Sequence, residues 1–461
     1  MLPPERIRAL VFALLLSTPS LEAQENTQKI EALMASAQAR GVFNGNVLVR
    51  RGADIAYEGS FGYAGASRSG LLSSSNSFYI GSIAKEFNGA GILLLCQQGK
   101  IKLTDKVSQY LPGYPAWGKA IEIRHLLNYT SGLPEVPDSS EEAVRQALAR
   151  VTNLAFEPGT AYLYSYANVF LQQRIIERIT GVSYEPFMAS QILKPCGVMD
   201  GAGPASHQIA MPFTNSLAPV EFDAAANRSA MFTARDLYNW TECLASGKVL
   251  TDRSIREMGQ SFGSGESSLG AAKFEGAKLV IHQHQGSGFS YEALIFNDAL
   301  EKTTIILLTN NQNFKLYELK DAILAILHGQ VYTVPKKSIY LDIREGLAAN
   351  FQQGLIEYLR LRRDEKDKYD LAAEPMDLIS AGKYLLRRNK LDDARAIFEL
   401  STTFSLKPPD LSYACELIAQ TWAKQGNKPL AAFYFQKAIE IDPGNRNAQG
   451  FLDALHQDGF H

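Results

Sequence analysis

Cysteine, tryptophan and histidine are scarce in this chain, and neither sign of charge dominates. Four cysteines, three tryptophans and seven histidines stand among 461 residues. Cys96, Cys196, Cys243 and Cys415 fit no metal-ligand spacing, which argues against a zinc module. An oxidising compartment would let some of them pair, and their spacing does not say which. Lysine and arginine total 46 against 48 acidic residues, with no long basic run, so nucleic acid is not an expected partner. Past the N-terminus no segment approaches ~18 uninterrupted apolar residues, so no membrane span is expected in the mature chain.

The one N-terminal apolar stretch, residues 9–16, is too short to cross a bilayer. Arg6 and Arg8 precede it, and small residues with Pro19 follow it up to Ala23. This is the pattern of a secretory signal over residues 1–23, and no cysteine offers a lipid attachment point. The protein is therefore expected to be exported, periplasmic or secreted. Hydrophobic residues make up 46% and charged residues 20% of the chain, enough for large cores in two or three domains.

What the sequence does contain is centred on Phe78-Tyr79-Ile80-Gly81-Ser82-Ile83-Ala84-Lys85-Glu86-Phe87. A strand-like run reaches Gly81. Ile83, Phe87, Ala90, Ile92, Leu94 and Leu95 then recur at helical spacing. Ser82 falls at the expected helix start, where serine caps well, and Lys85 lies one turn on along the same face. A hydroxyl beside an amine at the positive end of a helix can act as an activated nucleophile. A second Ser-x-x-Lys, Ser380-Ala381-Gly382-Lys383, lies in a charged helical stretch and is read as accidental.

Two β-rich runs flank Arg51-Gly52-Ala53-Asp54, the pattern of a hairpin. Residues 141–150 and 164–180 read as helices, the latter ended by Gly181. Strand patterns return at 278–281, 293–296 and 303–308, the last a β-branched run suited to a central strand. The expected fold is α+β: one sheet built from both ends of a domain over residues 24–332, with helices packed on it. Composition changes near Val334-Pro335-Lys336-Lys337. A linker is expected over 333–345 and an all-α domain over 346–461. Its segments around Asn389 and Asn427, 38 residues apart, resemble each other in the manner of tetratricopeptide repeats.

Residues 43–311 resemble the serine β-lactamase and penicillin-binding-protein-like family, in its class C-like branch. The resemblance rests on residues 78–99 around Ser82, on residues 123–133 (with Tyr129 where a histidine is common), on Phe156-x-Pro158-Gly159-Thr160, on 232–237 and on Leu308-Thr309-Asn310. It implies a β-lactamase/transpeptidase-like domain without metal or cofactor, acting by acyl transfer. Ser82 would be the nucleophile and Lys85 the base or proton relay. The family's Tyr-x-Asn motif has two readings. Spacing from Thr160 selects Tyr164 and puts Tyr166 where asparagine belongs; the shifted reading Tyr166-Ala167-Asn168 restores the letters and breaks the spacing. Spacing favours Tyr164 as the catalytic tyrosine.

The third motif is open in the same way. Alternation puts His282 and His284 on one strand face. Counting back from Gly288 selects His282, whereas His284-Gln285-Gly286 keeps the glycine that close backbone approach needs. The second is favoured, with His284, Gly286 and Ser287 against substrate and the Ser287 N–H sharing an oxyanion hole with that of Ser82. The functional expectation is an exported serine hydrolase acting on an ester, amide, D-amino-acid peptide or β-lactam. Esterase- or peptidase-like activity is favoured because the asparagine is lost. The alternative is a catalytically weak protein whose helical tail recruits a protein partner.

Overall fold

The computed structural model describes residues 21–457 apart from 137–139, 199–207, 215–216, 224–226 and 264. The expected signal segment therefore lies outside the described residues up to position 20. Its proposed end at Ala23 falls in the first turn of helix α1 (Leu21–Ala39).

Six strands form the main sheet: β1 (Gly45–Arg51), β2 (Asp54–Phe61), β3 (Ala271–Glu275), β4 (Lys278–Gly288), β5 (Tyr291–Asp298) and β6 (Thr303–Thr309). Their order is β2-β1-β6-β5-β4-β3, antiparallel throughout. Strands from both ends of the domain thus meet at β1–β6. The β-branched run of β6 is buried along its whole length, as befits a strand covered on both faces.

Alternation along β6 divides the core. Ile305 and Leu307 point to one side, packing with Ile30, Leu33 and Met34 of α1 and with Leu319 and Ile323 of the helix Leu316–Leu327. Ile306 and Leu308 point to the other, where the larger core holds the helices that carry the site. Those helices are α2 (Ala84–Gln97), α3 (Tyr166–Thr180), ended by Gly181 in the left-handed region, and α4 (Ala234–Ser246), begun by a Thr233 cap. Helix α5 (Leu316–Leu327) closes the domain.

Among the described residues seven helices follow: α6 (Tyr340–Ala349), α7 (Phe351–Asp364), α8 (Glu374–Arg387), α9 (Leu391–Ser401), α10 (Pro408–Lys424), α11 (Lys428–Ile441) and α12 (Arg446–Gln457). Helix α6 starts inside the linker expected over 333–345, because Ile339, Tyr340 and Ile343 have a core to join. Asn389 and Asn427 both sit at joints between helices. The tail is seated on the first domain. Lys315 Nζ lies 2.8 Å from Glu318 and 3.1 Å from Asp370, and the Phe314 and Tyr340 rings are 5.3 Å apart.

Cys196 and Cys243 form a disulfide that ties the turn before residue 197 to α4, while Cys96 and Cys415 are free. Closing a loop of 47 residues restricts the unfolded chain by up to about 4 kcal/mol in the chain-entropy picture. Replacing both cysteines by alanine should lower the melting temperature by roughly 10 °C. Calorimetry of oxidised wild type beside the double variant checks this.

Candidate active site

The strand-like residues Phe78 and Tyr79 pair with Phe232 and Met231, and the Ile80 N–H donates to the Ala230 carbonyl. The chain then turns at Gly81, whose φ of +54° suits glycine. Ser82 lies in the 3-10 turn Gly81–Ile83 that runs into α2. It does not cap the helix, as its sequence position suggested. The backbone there is already helical, and its hydroxyl is turned to other partners. Lys85 Nζ donates to Ser82 Oγ at 3.0 Å, and Ser82 Oγ shares a 2.6 Å hydrogen bond with Tyr164 Oη. Lys85 Nζ also stands 4.9 Å from the centre of the Tyr164 ring.

Tyr164 ends a loop stitched to residues 129–134. The N–H groups of Ala155, Gly159 and Leu163 donate to the carbonyls of Gly132, Thr130 and Tyr129. Ser165 then caps α3 by accepting the Ala167 N–H and donates its hydroxyl to the Pro134 carbonyl. Tyr164 is held between these anchors, its ring 5.0 Å from that of fully buried Tyr129. Of the two readings of the second motif, the structure sets Tyr164 against Ser82, while Tyr166 opens α3. Asn168 is buried, its amide donating to the Ser165 carbonyl.

On β4 the alternation places His282, His284 and Gly286 inward. Here one expectation is corrected. His284, expected against substrate, is turned into the core; it is 3% exposed, and its Nδ1 lies 2.7 Å from Glu86 Oε1. His282 Nε2 lies 2.8 Å from the same oxygen, and Trp240 Nε1 donates to Glu86 Oε2 at 2.6 Å. The reason is Glu86 itself: a carboxylate inside an apolar helix must find partners, and both inward imidazoles reach it. Among the described residues no group of three or more histidine, cysteine or acidic side chains is arranged to hold a metal ion.

Gly286 and Ser287 do meet the Ser82 turn. A Cβ at Gly286 would overlap the Ile80 carbonyl oxygen and lie 2.7 Å from the Ser82 nitrogen. A Cβ at Gly81 would overlap the Ser287 nitrogen. The backbones of the turn and of β4 therefore touch, which puts the Ser82 and Ser287 amides on neighbouring segments. A two-residue turn, Phe289-Ser290, with φ of +51° and +68°, joins β4 to β5. Sequence pattern assigned no site role to Glu86 or Trp240, and marked Tyr129 only as a departure from the family's histidine. The available signal was a lone carboxylate within the apolar pattern of α2, facing two alternating histidines.

Burial alone would raise the Glu86 pKa, but the charge and hydrogen bond of His282, joined by His284, outweigh it and hold it at about 2, against an ordinary 4.5. A carboxyl lowered in the folded state stabilises above its unfolded pKa and loses that contribution as pH falls through the folded value. Glu86→Gln should cost about 3 kcal/mol at pH 7. Its difference from wild type in urea unfolding should shrink as pH falls from about 5 towards 2. Gly286→Ala should cost about 3 kcal/mol and disrupt the site, since strand or turn must move aside. Its melting temperature and its reaction with a serine-directed probe check this.

The Beta-lactamase family model matches residues 26–330. Penicillin-binding protein 4* of Bacillus subtilis (strain 168) is 35% identical over 187 residues, spanning 38% of this chain and 41% of that protein. The chain thus spans about two fifths of that relative's length. Among solved structures, the D-amino acid amidase from Ochrobactrum anthropi SV3 complexed with L-phenylalanine amide superposes with a TM-score of 0.55 at 21% identity, covering 66% of this chain and 99% of that one. EstCE1, a hydrolase with promiscuous acyltransferase activity, gives 0.56 at 20% identity, covering 67% and 100%. At such identities the structures speak for the fold, and the family match, covering well over half of the sequence, carries the assignment. The chain belongs to the beta-lactamase family.

Proposed function

We propose that this protein is an exported serine hydrolase that works through an acyl-serine on an ester, amide or D-amino-acid peptide. The observation that carries this is the triple Lys85 Nζ, Ser82 Oγ and Tyr164 Oη, linked at 3.0 and 2.6 Å. Ser82 Oγ attacks the substrate carbonyl carbon while its proton passes to Tyr164 or Lys85. The same groups return the proton to the departing alcohol or amine as the carbonyl–leaving-group bond breaks. Water, activated in the same way, then frees the acid and restores Ser82. The N–H groups of Ser82 and Ser287 would receive the oxyanion.

An ester or simple amide is favoured over a β-lactam. Tyr166 occupies the place of the second motif's asparagine, Asn168 is buried, and His284 is engaged by Glu86. The names of the amidase and of EstCE1 agree with acyl chemistry of this breadth. Export is supported by the N-terminal pattern and by the Cys196–Cys243 disulfide, which suits an oxidising compartment. The tetratricopeptide-like reading of the tail is part of the proposal and rests on its helix pairs around Asn389 and Asn427. The inward turn of His284 also favours a second reading, a catalytically weak protein, which the same experiment addresses.

A fluorophosphonate should label the wild type and leave Ser82→Ala unlabelled, and a fluorescent penicillin should label more weakly. Lys85→Ala and Tyr164→Phe should slow fluorophosphonate labelling by roughly a hundredfold or more. Ester and D-amino-acid amide panels would then define the substrate. Absence of Ser82-dependent labelling by either probe would overturn the hydrolase reading.

A further inference from the structure

The loop that presents Tyr164 is gripped from two sides. Residues 129–134 hold it from within the hydrolase domain, as described. The opposite side is held by the tail. The Tyr162 N–H, two residues before Tyr164, donates to Asn447 Oδ1 of α12 at 2.7 Å, across 285 positions of sequence. One residue earlier the loop runs against Gly450, where a Cβ would collide with the Thr160 carbonyl oxygen and stand 2.6 Å from the Ala161 Cβ. The Phe451 ring meets Phe156, at the start of the loop, edge-on at 5.4 Å and stacks on Phe435 of α11 at 5.5 Å. Arg446 lies 4.9 Å over the Phe262 ring.

Asn447 is itself fixed. Its Nδ2 donates at 2.6 Å to Glu416 Oε1 of α10, a carboxyl that is 3% exposed and also accepts from Gln420 Nε2 at 2.9 Å. With the amide nitrogen committed to Glu416, the amide oxygen faces the Tyr162 N–H. Such a group must donate on one side and accept on the other. Aspartate would set a second carboxyl against Glu416, whose pKa burial already raises, and leave it no amide donor; alanine would leave both partners unmet. The chain continues from Tyr162 through Leu163 to the hydroxyl 2.6 Å from Ser82 Oγ.

We infer that the helical tail is a working part of the catalytic site: Asn447, oriented by Glu416, is a positioning residue that sets the loop aiming Tyr164 at Ser82. The inference rests on the hydrolase reading above and deepens it. It gives the tail a task within the molecule, distinct from recruitment of a partner. Displacement of the loop by even about 1 Å would take Tyr164 out of hydrogen-bond reach, a change that can cost a hundredfold in rate.

The test uses the full chain and the second-order rate of fluorophosphonate labelling across pH, well below the melting temperature. Asn447→Ala should label ten- to a hundredfold more slowly than wild type and change the shape of the pH–rate profile. Asn447→Asp should be impaired likewise, and the double variant Asn447→Asp with Glu416→Gln should recover most of the rate, since glutamine can donate to the new carboxylate. Should Asn447→Ala fail to fold, the single and double aspartate variants decide. Wild-type rates and pH profiles in Asn447→Ala or Asn447→Asp, even with a lowered melting temperature, would reduce α12 to a structural prop and overturn the inference while leaving the hydrolase reading intact. Wild type without Ser82-dependent labelling would instead sink the hydrolase reading and this one with it.

Discussion

The site depends on one close approach of backbones. Gly286 on β4 lies so near Ile80 and Ser82 that no side chain fits between them, and Gly81 lies equally near Ser287. Two glycines let a turn and a strand touch, and the touching puts the Ser82 and Ser287 amides on neighbouring segments. Directly behind this contact, Glu86 of α2 takes hydrogen bonds from His282 and His284 of β4 and from Trp240 of α4. The helix bearing Ser82 and Lys85 is thus fastened to the strand by charge and hydrogen bonds inside the core. At Gly81 and Gly286, only glycine geometry permits the contact. A buried carboxylate so fully partnered specifies one register of α2 against β4, because a slip would strand it without partners.

Lys85 comes with α2 and Ser287 with β4, so both follow from that fastening. Tyr164 does not. It arrives on a loop with no strand or helix of its own, and its position is the sum of its anchors. Those to residues 129–134 are backbone hydrogen bonds within the domain; those on the far side come from α12, nearly three hundred residues later. Rigid elements place side chains more closely than loops do, and a loop clamped on both sides approaches that standard.

Much of the fold was legible in periodicity. The hairpin at Gly52, the buried strand β6, the cap at Gly181 and the change to helices after residue 334 all follow from local pattern. The linker was drawn too long because a helix start is a weak signal when tertiary packing supplies its stability. At the site, Ser82, Lys85 and Tyr164 were legible through the family resemblance, with Tyr164 chosen by its spacing from Thr160, and the structure links the three by hydrogen bonds. His284 was misplaced for another reason. Alternation says which strand residues share a face but not what that face meets, and the partner, Glu86, comes from another element. Asn447 had no sequence signal at all, since nothing local marks an asparagine in a helix as the acceptor for a distant amide.

The misplacement of His284 bears on chemistry. A histidine on the strand beside Ser82 would offer a substrate carboxylate a hydrogen-bond donor or a cation. Here both candidate imidazoles are spent on Glu86, deep in the core, so neither can reach across to substrate without breaking a buried pair, at a cost of about 3 kcal/mol or more. Among the described residues, Lys85 and Tyr164 are hydrogen-bonded to Ser82, a set that on the proposed function suits activating its hydroxyl rather than gripping a second charge. A neutral acyl group asks nothing more of the site, whereas a carboxylate-bearing ring would have to find its counter-charge elsewhere. The same buried carboxylate that fastens α2 to β4 thereby withholds both imidazoles, which supports the uncharged esters and amides of the proposed function.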